Sequence, residues 1–139
     1  MAVTDFVYAK ARAALGQGQI NLLTANVQAM LVSAAYVPSQ SSDQYVSTVV
    51  SSGGVLFRNY ALTGKAFSIS GGFQGALPLF ASLSSLIAVN AIVLYVNSGV
   101  DATSQLLYYS AGGIGFPFLP QGFNYAVSYD QSAGGWFQA

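Results

Sequence analysis

The chain has 139 residues, no cysteine, no histidine, and a formal net charge of zero from four basic and four acidic side chains. One domain spanning residues 1–139 is expected at this length, large enough to bury a core without disulfides. Without cysteine there is no thiolate metal site, without histidine the commonest general base and metal ligand is missing, and balanced, sparse charge argues against nucleic acid or anionic lipid as a partner.

Charged residues make up 6% of the chain and aromatics 14%, where ordinary soluble domains carry about 25% charged residues. A free monomer with so little charge is poorly protected against association. The composition is that of a protein living in an assembly.

The N-terminal "MAVTDFVYAKARAALGQG" does not read as a signal peptide, because Asp5 stands where positive charge belongs and Lys10 and Arg12 interrupt any apolar core. It predicts a helix over about 4–15. Thr4 serves as cap, Asp5 suits the positive end of the dipole, Phe6, Ala9 and Ala13 form the apolar stripe, and Gly16 closes the helix in the left-handed conformation. "NVQAMLVSAAYVP" reads as an extended apolar segment stopping at Pro38, and "VPSQSSD" and "SSGG" as exposed loops. "KAFSISGG" alternates Phe67 and Ile69 with Ser68 and Ser70, a half-buried strand.

No charge occurs between Lys65 and Asp101, so the run over 79–96 must be weighed as a membrane span. Its 18 residues contain Ser82, Ser84, Ser85 and Asn90 and lack flanking Lys, Arg and Trp. β-Branched residues gather at Ile87, Val89, Ile92, Val93 and Val96 before the turn signal "NSG", as in a strand buried on both faces. Beyond it, "SQLLYYS" and "NYAVSYD" are strand candidates on either side of the Gly- and Pro-rich loop "AGGIGFPFLPQG". That loop carries Ile114, Phe116, Phe118 and Leu119 without any charge. These four are the candidate interface anchors, either against a neighbouring subunit or folded over the chain's own core. Short strands after one helix predict a mainly β, antiparallel sandwich of jelly-roll type.

No motif for catalysis survives inspection. "TGKAFS" has Asn59 and Ala66 where a phosphate loop needs Gly and Ser or Thr, and "GQG" at 16–18 follows a helix and has Asn21 in place of a third glycine. Asp43 and Asp101 read as loop and turn residues, Asp130 as a strand end, and a Ser-Lys hydrolase would depend on Lys10 or Lys65 alone. Tyr108, Tyr109, Phe116, Phe118, Tyr125, Tyr129 and Trp136 lack the basic groove that base stacking accompanies. The expectation is a protein that is not an enzyme and holds no cofactor or metal.

Taken in order, four segments resemble a family of small virion structural proteins of tailed bacteriophages. "KARAALGQGQINLLTANVQAMLVSAAYVPSQSSDQYVS" is similar to the family's short helix, apolar strand and "tSaYtP" loop, and "NYALTGKAFSIS" to its "GYtaGGkaLtn" turn, with Lys65 at the second glycine of the pair. "AIVLYVNSGVDATSQLLYYSAGG" resembles the buried strand and polar hairpin, and "FNYAVSYDQSAGGWFQA" the closing strands. The resemblance implies a capsid decoration or cement protein, trimeric, seated between major capsid protein subunits on the outer shell after synthesis in the bacterial cytoplasm. A neck or tail component is the alternative within the virion. A small holin-like membrane protein is the alternative outside it, carried by the 79–96 run.

Overall fold

The computed structural model describes residues 5–67, 72–76, 86–111, 119–122 and 137–138. Within them the chain is mainly β. Strands β1 (Asp5–Val7), β2 (Val27–Val32), β3 (Val55–Ala61), β6 (Ala91–Val96) and β7 (Gln105–Ser110) form one sheet in the order β1-β7-β6-β2-β3, and β4 (Thr63–Phe67), β5 (Gly72–Ala76) and β8 (Phe137–Gln138) form a second. Every named pairing is antiparallel. Two short helices, α1 (Ala9–Gly16) and α2 (Val46–Ser51), accompany the sheets. Two antiparallel sheets contributing to one buried cluster agree with the sandwich read from the sequence. The strand order alone does not establish a jelly roll.

The core sits around β2 and β6, which lie side by side inside the sheet, Met30 opposite Val93 and Leu31 opposite Ile92. Met30, Leu31, Val32, Ile92, Val93 and Leu94 are all buried, including successive residues that point to opposite faces. A strand with neighbours on both edges and cover on both faces has no position left for a polar side chain, hence the continuous apolar text of "AIVLYV". Among the described residues of the long apolar run, 91–96 are strand and Leu86 and Ile87 are exposed, so the buried strand expected there does not include those two; 79–85 lie outside the described residues. No helix among the described residues is long and apolar enough to cross a membrane.

The N-terminal helix is shifted from its expected position. Residues 5–7 pair with β7, placing Phe6 opposite Tyr109, and the helix starts at Ala9 after the extended Tyr8. Sheet pairing and burial of Phe6 outweigh the weak helical preference of three residues. The buried helical positions become Ala11 and Ala14 in place of the stripe through Ala9 and Ala13. Gly18, with φ 72°, takes the left-handed position expected of Gly16.

The second helix was not legible in the sequence. "VSTVVS" is rich in β-branched residues, poor helix formers, and Tyr45 offers no side-chain cap. The helix instead borrows acceptors from the β6–β7 connection: Val46 N–H donates to the Ser104 carbonyl at 2.9 Å and Ser47 N–H to that of Asp101 at 3.1 Å. Those bonds satisfy donors that any helix start leaves open, and Val46 and Val49 join the core. Strands β1, β3 and β5 were likewise not anticipated. The expected strand "NYAVSYD" lies outside the described residues.

Candidate functional site

Among the described residues, two clusters of polar side chains tie distant segments together. In the first, Tyr36 donates from its hydroxyl to Asp43 Oδ2 at 2.7 Å, and the Tyr8 and Tyr36 hydroxyl oxygens lie 2.6 Å apart. The carboxylate only accepts, so the single Tyr36 proton goes to Asp43 and Tyr8 must donate to Tyr36. Asp43 Oδ2 also accepts the Ser39 backbone N–H at 2.9 Å, pinning the "SQSSD" loop. The rings belong to an aromatic group in which Phe6 stacks on Tyr109 at 5.3 Å and Tyr36 meets Tyr109 edge-on at 6.1 Å. Burial pushes both phenols well above their ordinary pKa, and for Tyr36 the neighbouring Tyr8 and Asp43 push the same way.

The second cluster ties β3 to the β6–β7 turn. Arg58 Nη2 donates to Asp101 Oδ1 at 2.9 Å, and its guanidinium carbon lies 5.6 Å from the centre of the Tyr95 ring. The hydrogen bond to Asp101 raises the Arg58 pKa further. Tyr95 and Asn97 both donate to Gln28 Oε1 at 3.1 Å, linking the turn back to β2. Asp43 and Asp101 therefore hold loops in place, the role read for them from the sequence. In the first cluster burial holds both phenols in their protonated form beside Asp43, and among the described residues no three metal-ligating side chains group together.

What remains for function is the surface. Leu86 is fully exposed, Val37 80%, Val100 58%, Ile87 56% and Leu119 46%. Along the chain, Val37 comes five residues after the end of β2 and Ile87 four residues before the start of β6. The end of β2 is pinned by Asn90 N–H donating to the Val32 carbonyl at 2.7 Å and Ser33 N–H to that of Gly54 at 2.8 Å. Among the anchors proposed from the sequence, Leu119 is exposed as an interface residue must be, while Ile114, Phe116 and Phe118 lie outside the described residues. Leu86 and Ile87 escaped sequence reasoning because they belong to an apolar run that reads as core, whereas Val37 opens the segment "VPSQSSD", which reads as an exposed loop. Lys65 is half-buried on β4 and donates to the Ala25 carbonyl.

No protein-family model, no curated protein and no solved structure matches this chain.

Proposed function

We infer that the chain is a structural protein of a tailed-bacteriophage virion, a decoration or cement protein that works as a homotrimer between major capsid protein subunits on the outer shell. The observation that carries the reading is the set of large apolar side chains outside the core: Val37, Leu86, Ile87, Val100 and Leu119 stand exposed on a chain with only eight charged residues. Exposed apolar side chains on a rigid β unit suit adhesion, in which contact area excludes water at an interface. A closed trimer covers part of that surface. Repetition over a symmetric lattice makes weak single contacts collectively strong, so adhesion needs little charge. The resemblance of four ordered sequence segments to virion structural proteins supplies the identity of the assembly.

Cryo-electron microscopy of purified particles, with copies of the chain counted by mass spectrometry, tests the reading. Density for the five-stranded sheet between capsid subunits on the outer shell is the expected result. Density confined to the neck or tail would move the protein there, and purified virions without the chain would refute a structural role.

A further inference from the structure

A pocket of about 570 Å³ opens between the C-terminal half of α1, the loop that follows it, and β4. Its walls are Val7, Leu15, Ile20, Leu22 and Phe67, and its one charged lining residue is Arg12. The volume falls within the range of small-ligand sites, roughly 300–1,000 Å³, which combine apolar walls with a few polar groups that orient the ligand. We propose that this pocket binds a small apolar monocarboxylate, the hydrocarbon lying against Leu15, Ile20 and Phe67 and the carboxylate held by Arg12.

Charge complementarity selects the anion. Arg12 is exposed and forms no ion pair among the described residues, the salt bridge there being Arg58–Asp101. Among the described residues no carboxylate lines the pocket. A guanidinium fork matches a carboxylate in plane and in donor spacing. Asn21 supplies a second donor, since its Oδ1 already accepts the Leu23 N–H at 3.1 Å and its amide nitrogen faces no such demand. One feature opposes an anion: the C-terminus of α1 borders the pocket, and a helix end carries about half a negative charge. Three of its last four carbonyls are taken, however, Ala13 by Gln17 N–H, Leu15 by Gly18 N–H and Ala14 by Gln19 N–H. The full charge of Arg12 outweighs what is left.

Size bounds the apolar part. The pocket holds on the order of 19 water volumes at about 30 Å³ each, so a saturated chain of roughly ten carbons fills about half of it. The wall is also permissive at one point, because a Cβ added at Gly16 meets nothing within 4 Å. A side chain there enters open space on the border of the pocket, and leucine continues α1 better than glycine does.

The test uses the full-length chain, decanoate as probe, and the decyltrimethylammonium cation as a control of equal chain length, measured by titration calorimetry. Saturable decanoate binding with a Kd below about 1 mM and at least tenfold (order-of-magnitude) weaker binding of the cation are expected. Arg12→Gln should remove the preference for the anion. Gly16→Leu should weaken decanoate about tenfold or more while leaving the melting temperature unchanged or raised. Absence of saturable binding, equal binding of anion and cation, or wild-type binding by a folded Gly16→Leu would each overturn the proposal. Arg12 is exposed and its replacement leaves the core intact, so the Arg12→Gln comparison decides alone should the glycine variant not fold.

Discussion

Removing the Tyr36 hydroxyl should cost far more than removing that of Tyr8, although the two share one hydrogen bond. Tyr36→Phe deletes both the bond received from Tyr8 and the bond given to Asp43. It strands the Tyr8 hydroxyl at a position with no solvent exposure, and a buried hydroxyl without a partner costs about 1–3 kcal/mol. Asp43 keeps the Ser39 N–H and is half exposed, so water replaces part of its lost charge-assisted bond and adds only about 1 kcal/mol to the total. The single variant should therefore lose about 3 kcal/mol, a large share of the roughly 5–15 kcal/mol that holds a domain together. Tyr8→Phe should lose about 1 kcal/mol, because Tyr36 still has its acceptor. The double variant no longer contains a stranded hydroxyl and should be more stable than Tyr36→Phe alone, giving a coupling of about 2 kcal/mol. Urea unfolding of the four proteins, followed by tyrosine and tryptophan fluorescence, measures the cycle. Additive losses, or equal losses for the two single variants, would refute the directed chain from Tyr8 through Tyr36 to Asp43.

Alkaline pH gives a second reading of the same residues. Both phenols are raised above the ordinary value of about 10, so the folded state retains protons that the unfolded chain releases, and stability present below about pH 10 must fall as pH rises beyond it. Phenolate absorbance should show fewer than nine tyrosines titrating before the fold is lost, whereas nine reversible titrations in a folded chain would contradict the burial. Val93→Asp puts an unpaired charge at a fully buried site between β2 and β7, and a loss of about 4 kcal/mol or more should leave the chain unfolded or aggregated by circular dichroism. At the turn after α2, a Cβ on Gly54 would lie 2.8 Å from both the Cβ and the backbone nitrogen of Tyr36, while Gly53 has open space but a φ of 75°. Gly54→Ala should lower the melting temperature more than Gly53→Ala, whose left-handed backbone costs about 1–2 kcal/mol. Sedimentation at micromolar concentration should give a trimer, and a 14.4 kDa monomer on and off the particle would count against the oligomer.

The sequence by itself determined the fold class and the innermost strands. "AMLV" and "AIVL" are continuously apolar because both faces of an inner strand meet apolar neighbours, and that constraint is written into consecutive residues. The turns were equally local: in "NSG" the Asn97 Oδ1 accepts the Gly99 N–H at 2.9 Å, between residues two apart. Tertiary structure decided the elements whose stability is borrowed. Residues 5–7 are strand because β7 offers an edge, and "VSTVVS" is helix because the carbonyls of Asp101 and Ser104, more than fifty residues along the chain, take its first donors. The same holds for the surface and the pocket. Leu86 and Val93 sit in one uncharged, largely apolar run, one fully exposed and the other fully buried. Arg12 and Phe67, 55 residues apart in sequence, line one cavity only because the fold brings β4 near α1. Burial and cavity lining depend on which distant segments arrive, and periodicity along the chain carries no record of them.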